Sequence, residues 1–176
     1  MKLKNIFMLL ALAIGTFAFV ACGDDDENTP QDPQDQGTVS EANKAVVGIY
    51  AGWTNLTTTY LNRNYANDTI TVALSDGGSL VATFKDAIWG TATITGIQAK
   101  DEDGDGQFEL LYGEGSFVMN NPRDPEHPTQ EFPCKLESAV VSPKDHQMTA
   151  TISAYMEVGH GNMTFTFHTG EMPTEE

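Results

Sequence analysis

The sequence predicts an all-β fold. From about residue 46 onward, apolar residues alternate with threonine, serine or charged residues in eight short runs, and glycine, proline, asparagine and aspartate separate the runs. Such alternation puts one face of each strand in the core and the other in water. The same region has no helical periodicity of useful length. Eight short strands of this kind build an antiparallel barrel or a sandwich.

The first run, Val46–Trp53, contains two glycines that indicate bends or close packing. The other seven predicted strands cover residues 69–74, 80–84, 91–95, 108–112, 134–141, 148–154 and 163–168. Asp76-Gly77-Gly78 predicts a hairpin turn between the second and third runs, because these residues adopt positive φ at low cost. Glu41–Ala45 supplies one short helical turn at most.

The N-terminus has the pattern of an export signal. Lys2 and Lys4 precede an uncharged apolar run, Ile6–Val20, which is shorter than the roughly 20 residues that a membrane-spanning helix needs. The run ends in Ala21-Cys22, which resembles the lipobox of bacterial lipoproteins, although Phe19 replaces the usual aliphatic residue. The resemblance implies that residues 1–21 are removed and that Cys22 becomes the lipidated N-terminus. The alternative is an ordinary cleaved signal with an incidental cysteine.

An acidic tether is predicted to follow the cysteine. Gly23–Glu27 resembles the export tag of surface lipoproteins in Bacteroidetes-type bacteria, which implies an outer-membrane protein facing the cell exterior; the alternative is a solvated spacer. Residues 28–40 are rich in Gln, Asp, Pro and Thr and cannot bury enough apolar surface to fold. We therefore predict a tether at 22–41, a folded domain at 42–171 and an acidic tail at 172–176.

Charge and cysteine content exclude two classes of interpretation. The chain has 25 acidic and nine basic residues and a net charge of -16, whereas nucleic-acid binding needs clustered Lys and Arg. Once Cys22 is lipidated, Cys134 has no partner for an intramolecular disulfide. Alternation places Cys134 on the inner face of its strand with Leu136 and Val140, as a small buried side chain.

Four short segments carry a family resemblance. Gly48–Gly52, Thr93–Ile97, Gly113–Gly115 and Met163–Phe167 resemble parts of the calycin-like domain of Bacteroidetes lipoproteins. The resemblance covers roughly residues 45 to 170. It implies an eight-stranded up-and-down barrel related in shape to the lipocalins. The family has no established activity, so the resemblance implies a fold and not a function.

The segment 101–106 is the sharpest local motif. Asp101, Asp103 and Asp105, with Gly106 at the sixth position, match the start of a calcium-binding loop. Position twelve, which should be a bidentate Glu, is Tyr112. A polar hairpin explains the same residues, because Asp and Gly are preferred in turns. Calcium is the only cofactor that the sequence brings into question.

Aromatic residues supply the candidate ligand site. Trp53, Tyr60, Tyr65 and Trp89 suit the rim of a binding site, or else they fill the core. The polar, proline-rich segment 119–131 is predicted as a long connection between the fifth and sixth runs, serving as a binding loop or as a disordered insertion.

No catalytic constellation stands out. His127, His146, His160 and His168 lack the spacing of a zinc site, and no Gly-x-Ser-x-Gly segment is present. Asp68-Thr69-Ile70 resembles an O-glycosylation sequon at Thr69.

These observations lead to three hypotheses. The leading one is a non-enzymatic, lipid-anchored barrel that binds a small or apolar ligand. The second is a protein-protein interaction or adhesion module with a solid core. The third is a secreted hydrolase or inhibitor, which would need a cleft with converging titratable groups.

Overall fold

The computed structural model describes residues 39–156 and 161–174. The predicted signal peptide, Cys22, residues 22–38 of the tether, and His160 lie outside the described residues. The described elements, in chain order, are α1 Glu41–Ala45, β1 Gly48–Thr57, β2 Asn62–Leu74, β3 Leu80–Asp86, β4 Gly90–Lys100, β5 Phe108–Leu111, β6 Glu114–Asn120, β7 Thr129–Ser142, β8 Gln147–Tyr155 and β9 Asn162–Thr169.

The strands form a closed antiparallel barrel with eight positions. Except for β5 and β6, which do not pair with each other, each strand pairs with its neighbours in sequence, and β1 pairs with β9 to close the cylinder. One position is shared by β5 and β6, which both lie between β4 and β7. The predicted all-β, eight-stranded antiparallel barrel is therefore confirmed. Among the described residues, no helix has the length and apolar character needed to cross a membrane.

A change in backbone direction at Tyr112 and Gly113 divides one barrel position between two strands. Tyr112 adopts φ +55°, in the left-handed region that bulky residues rarely occupy. At the next residue, a Cβ on Gly113 would lie 2.7 Å from the Cγ2 atom of Ile94, so only glycine fits. The chain leaves the line of β5 at this point and resumes pairing as β6.

The prediction of a long connection over residues 119–131 is wrong. Residues 114–120 of β6 pair with residues 129–135 of β7, so only 121–128 connect the two strands. Alternation in β6 is masked by Gly115 and Ser116, and the polar start of β7 lies on the solvent side. The alternation pattern therefore does not detect β6.

Three β-bulges reset which residues face inward, and one of them lies in β4, where Leu80 pairs with Ile97 and Ala82 with Ile94. In β2, Asn67 is an extra residue with φ +66° between the pairs Gly52–Asp68 and Trp53–Ala66. In β7, the register shifts between Leu136 and Ser138. The β7 shift corrects one prediction: Cys134 and Leu136 are buried as expected, but Val140 is 41% exposed because the following residues have exchanged faces.

Large side chains fill the middle of the barrel. Five aromatic side chains are at most 1% exposed: Tyr50, Phe84, Phe117, Phe165 and Phe167. The ring of Phe165 packs against those of Phe84 and Phe117. Small barrels can be packed in this way or hold a ligand. Here the centre is occupied by side chains, so any sizeable binding site lies towards an end.

Helix α1 covers one end of the barrel. Asn43, 1% exposed, donates to the Gly78 carbonyl (2.8 Å) and to Gln98 Oε1 (3.0 Å), and its Oδ1 accepts from the Ala99 amide (2.8 Å). These bonds join the helix to the β2–β3 turn and to the last residues of β4. We call this end the capped end, and the other end the open end.

Candidate functional site

The open end of the barrel carries an apolar cleft. Its volume is about 480 Å³. The lining side chains are mostly apolar, and they come from the turns at this end and from the last inward positions of the strands. They include Tyr60, Leu61, Ile88, Trp89, Met119, Met156 and Met163. Methionine side chains adapt their shape to an apolar partner, which suits a surface that receives a ligand.

The β3–β4 hairpin holds Trp89 at the cleft. Oδ1 of Asp86 accepts the backbone N–H groups of Ile88 (2.6 Å) and Trp89 (2.8 Å), which fixes the turn. Gly90 follows at φ +133°, and a Cβ there would lie 2.0 Å from the Val118 carbonyl oxygen. The turn therefore packs closely against β6. The backbone that carries the half-buried indole of Trp89 is held in place.

The β1–β2 turn forms the opposite rim. The Thr58 hydroxyl oxygen accepts the backbone N–H groups of Tyr60 (3.1 Å) and Leu61 (3.0 Å). This turn leaves Tyr60 81% exposed and Leu61 half-buried. Ile88, across the cleft, is 60% exposed. The rim thus presents apolar side chains to solvent.

Both arginines of the sequence lie at the open end. Arg123 lines the cleft, and the Arg63 guanidinium lies 5.9 Å from the centre of the Tyr65 ring. Neither arginine forms an ion pair within the described part of the chain. The same end carries Asp124 and Glu126 in the β6–β7 connection, so the two arginines lie among acidic residues.

A buried polar cluster lies next to Trp89, on the inner face of the barrel. Its members are Thr54 on β1, Asp68 on β2 and Asp86 at the end of β3, and they are 0%, 2% and 4% exposed. Thr69 and Lys85 form the last pair between β2 and β3. If the same register is continued by one residue, Asp68 lies opposite Asp86. Residues so placed on one face are near neighbours.

Four buried polar atoms at this place lack a hydrogen-bond partner among the described residues. They are Thr54 Oγ1, Asp68 Oδ2, Asp86 Oδ2 and Trp89 Nε1. Native proteins leave few such atoms, since each costs about 1–3 kcal/mol when unsatisfied. Ordered water or a polar group of a ligand would satisfy these four atoms.

The cluster perturbs the acidity of Asp68. Burial raises the pKa of Asp68 to about 7, the nearby Thr54 hydroxyl opposes the rise, and the charge of Asp86 adds to it. Thr54 is near enough to act on the pKa, although its oxygen has no partner in hydrogen-bond geometry. Strongly perturbed carboxyls in a cleft are common at functional sites.

The four aromatic residues predicted from sequence occupy different places. Tyr60 and Trp89 line the cleft. Tyr65 packs edge-on against Trp89, with ring centroids 6.0 Å apart. Trp53 faces outward and stacks on His168 with centroids 4.7 Å apart. Two of the four aromatics therefore line the cleft, Tyr65 supports one of them, and Trp53 lies elsewhere.

Sequence reasoning did not find the methionines or the aspartate pair. Met119, Met156 and Met163 lie at the ends of three separate strands, so nothing in the sequence joins them. Asp68 directly precedes the predicted run 69–74 and Asp86 directly follows the predicted run 80–84 and Lys85, and aspartate at such positions normally indicates a turn. The one sequence signal for a buried position was that each aspartate lies next to a run of alternating apolar residues.

The acidic loop lies at the capped end, between β4 and β5. One carboxylate oxygen from each of Asp101, Asp103 and Asp105 lies within 4.8 Å of the others. Both oxygens of Asp101 already accept backbone N–H groups, from Gly104 (2.8 Å) and Gly106 (3.1 Å). These bonds are those of a turn, and calcium binding here stays a prediction.

The remaining sequence candidates are dispersed. His127 lies in the β6–β7 connection beside Asp124, and His146 lies in the β7–β8 turn stacked on Tyr50. Thr69 faces outward in the middle of β2, and its glycosylation stays a prediction. Cys134 is buried, and burial raises its pKa to about 11, which keeps it in the unreactive thiol form.

Comparisons with family models, with curated proteins and with solved structures found no match. They therefore name no enzyme family, and the resemblance to the calycin-like lipoproteins stays a prediction.

Proposed function

We propose that this protein is a non-enzymatic binding module that takes a small apolar ligand in the cleft at the open end of its barrel. The observation that carries the proposal is the lining of the cleft by Trp89, Leu61 and three methionines, with Tyr60 and Ile88 exposed at the rim. Ligand sites are typically concave and apolar with few polar groups, and their volumes begin at about 300 Å³.

The packed core moves the proposed site from the barrel interior to its mouth. A ligand of about ten heavy atoms needs only part of the cleft, and burying its apolar surface supplies the binding free energy at about 25 cal/mol per Å². The chain enters the barrel through α1 at the capped end. A lipid-anchored tether, as we propose for Cys22 and the residues after it, would therefore join the domain away from the cleft.

The test is a fluorescence titration with 1-octanol. Trp53→Phe leaves Trp89 as the only tryptophan of the chain, so its emission reports on the cleft. We expect a saturable change in emission. Ile88→Ser should weaken binding about five- to tenfold, because it removes apolar contact at the rim.

The matched control for the rim is Ile49→Ser. Ile49 is 62% exposed, much as Ile88 is at 60%, but it lies on the outer face of β1 near the capped end. We expect this variant to bind octanol as the parent does. Equal effects of the two substitutions, or emission that does not saturate, would contradict the proposed site.

The second candidate function is a protein-protein interaction module. It is favoured by an outer hollow of about 790 Å³ where β5 breaks from β6, beside Tyr112, which is 82% exposed on a left-handed backbone. Strained exposed residues cluster at functional surfaces. This alternative predicts no saturable response of Trp89 to octanol.

A further inference from the structure

We propose that Thr54, Asp68 and Asp86 form a recognition site for a primary ammonium group, so that the ligand of the cleft is a small amphipathic amine. This inference deepens the proposed function and rests on it. The apolar part of the ligand would lie in the cleft, and its ammonium group would lie behind Trp89.

The acceptors match the group in number and kind. An ammonium carries three donors and no acceptor, and the cluster offers three unpartnered acceptor oxygens: Thr54 Oγ1, Asp68 Oδ2 and Asp86 Oδ2. Hydrogen bonds between a cation and a carboxylate are among the strongest in proteins. Two adjacent buried carboxyls without a cation are costly, which a bound ammonium relieves.

Trp89 connects the cleft to the cluster. Its side chain lines the cleft, and its backbone N–H donates to Oδ1 of Asp86, a member of the cluster (2.8 Å). Asp68 Oδ2 and Asp86 Oδ2 have no access to solvent in this conformation, so the side chains around them must move to admit a head group. The face of an indole is also the best aromatic partner for a cation.

The charges around Asp68 favour a cation. Asp86 faces it from β3 and Thr54 from β1, while Tyr65 and Cys134 are the other ionisable side chains on the inner face of this half of the barrel. Lys85 and His168 alternate to the outer face. No basic side chain among the described residues is buried with the pair.

Binding of the ammonium should release a proton. At neutral pH a large share of Asp68 holds its proton, because its pKa is raised to about 7. A bound cation favours the carboxylate, so the Asp68 proton leaves to solvent as the ammonium enters. Affinity for the amine should therefore rise as the pH increases through 7, as long as the amine itself stays protonated.

The experiment compares three probes of equal chain length on the full chain: octylamine, 1-octanol and octanoate, each titrated against Trp89 emission in the Trp53→Phe background. We expect octylamine to bind about ten- to a hundredfold more tightly than octanol, the range of hydrogen bonds to charged groups. Calorimetry in two buffers of different ionisation enthalpy should detect proton release with octylamine only.

Asp68→Asn and Asp86→Asn should reduce the ratio of octylamine affinity to octanol affinity to about one, and saturable octanol binding by each variant shows that it is folded. Asp76→Asn is the matched control, since Asp76 is an exposed aspartate in the turn at the capped end. It should bind octylamine as the parent does, which separates the site from attraction to the acidic surface.

The outcomes separate the two proposals. Equal binding of octylamine and octanol, or a preference for octylamine that survives both Asn substitutions, would overturn the amine site and leave the cleft proposal standing. Preference for octanoate would assign the head group to Arg123 instead. If none of the three probes binds, the cleft proposal fails, and the amine site fails with it.

Discussion

At the scale of single residues, Asp68 is the side chain whose surroundings differ most from those in the unfolded chain. Its pKa is raised from 3.8 to about 7, chiefly by burial. Between those values the folded state holds a proton that the unfolded state has released. The free energy of unfolding therefore falls as the pH rises from about 4 to about 7, and the loss is complete above that range.

Asp68→Asn tests this directly, because it keeps the shape of the side chain and removes its titration. The variant should gain stability relative to wild type as the pH rises, and at about pH 8 it should be the more stable of the two. Urea unfolding at several pH values measures the difference. A pH-independent difference for Asp68→Asn would contradict the account.

At the scale of elements, the seam between β1 and β9 depends on Gly52. A Cβ at this position would lie 1.9 Å from the His168 carbonyl oxygen, and backbone cannot move aside cheaply. Gly52→Ala should therefore destabilise the protein by about 3 kcal/mol or more, in the range of severe overpacking. The measurement is the denaturant midpoint at constant m-value.

Gly77→Ala is the control for that substitution. Its Cβ would meet only the Ser75 hydroxyl, at 3.9 Å, and its φ is not positive. We expect a change within about 0.5 kcal/mol, as for most surface substitutions. Similar losses at positions 52 and 77 would show that the close approach of β9 does not limit the seam.

The cap on the barrel depends on Asn43. Asn43→Ala removes three hydrogen bonds and leaves the Ala99 amide without its partner in a buried place. We expect a loss of about 2–4 kcal/mol and faster amide exchange at the end of β4. Lys44→Ala, which breaks only an exposed ion pair with Glu41, should cost less than about 0.5 kcal/mol. Unchanged exchange at Ala99 in Asn43→Ala would contradict the role of the cap.

The elements also show how far sequence patterns reach. Alternation in residues 69–74 and 148–154 predicts β2 and β8 because one face of each is uniformly apolar. Alternation fails at Asn67 and in β7, because a bulge there changes which residues face inward and no residue type in the sequence signals the bulge. The Asp68–Asp86 pair depends on the β2–β3 register, which is a tertiary property.

At the scale of the whole molecule, the two ends of the barrel carry different features. The capped end receives the chain through α1 and carries the acidic loop, while the open end carries the cleft, both arginines and the buried polar cluster. The aromatic packing between them makes the centre rigid. The separation agrees with the proposal above that the domain is tethered at one end and binds at the other.

The most direct test of ligand binding at the open end is a titration of the isotope-labelled protein with 1-octanol, followed by backbone and methyl NMR shifts. We predict saturable shifts confined to the cleft, centred on Leu61, Trp89 and Met163, with Asn43 and the acidic loop unmoved. Shifts centred on Tyr112, or no saturable shift at any resonance, would contradict the proposed site.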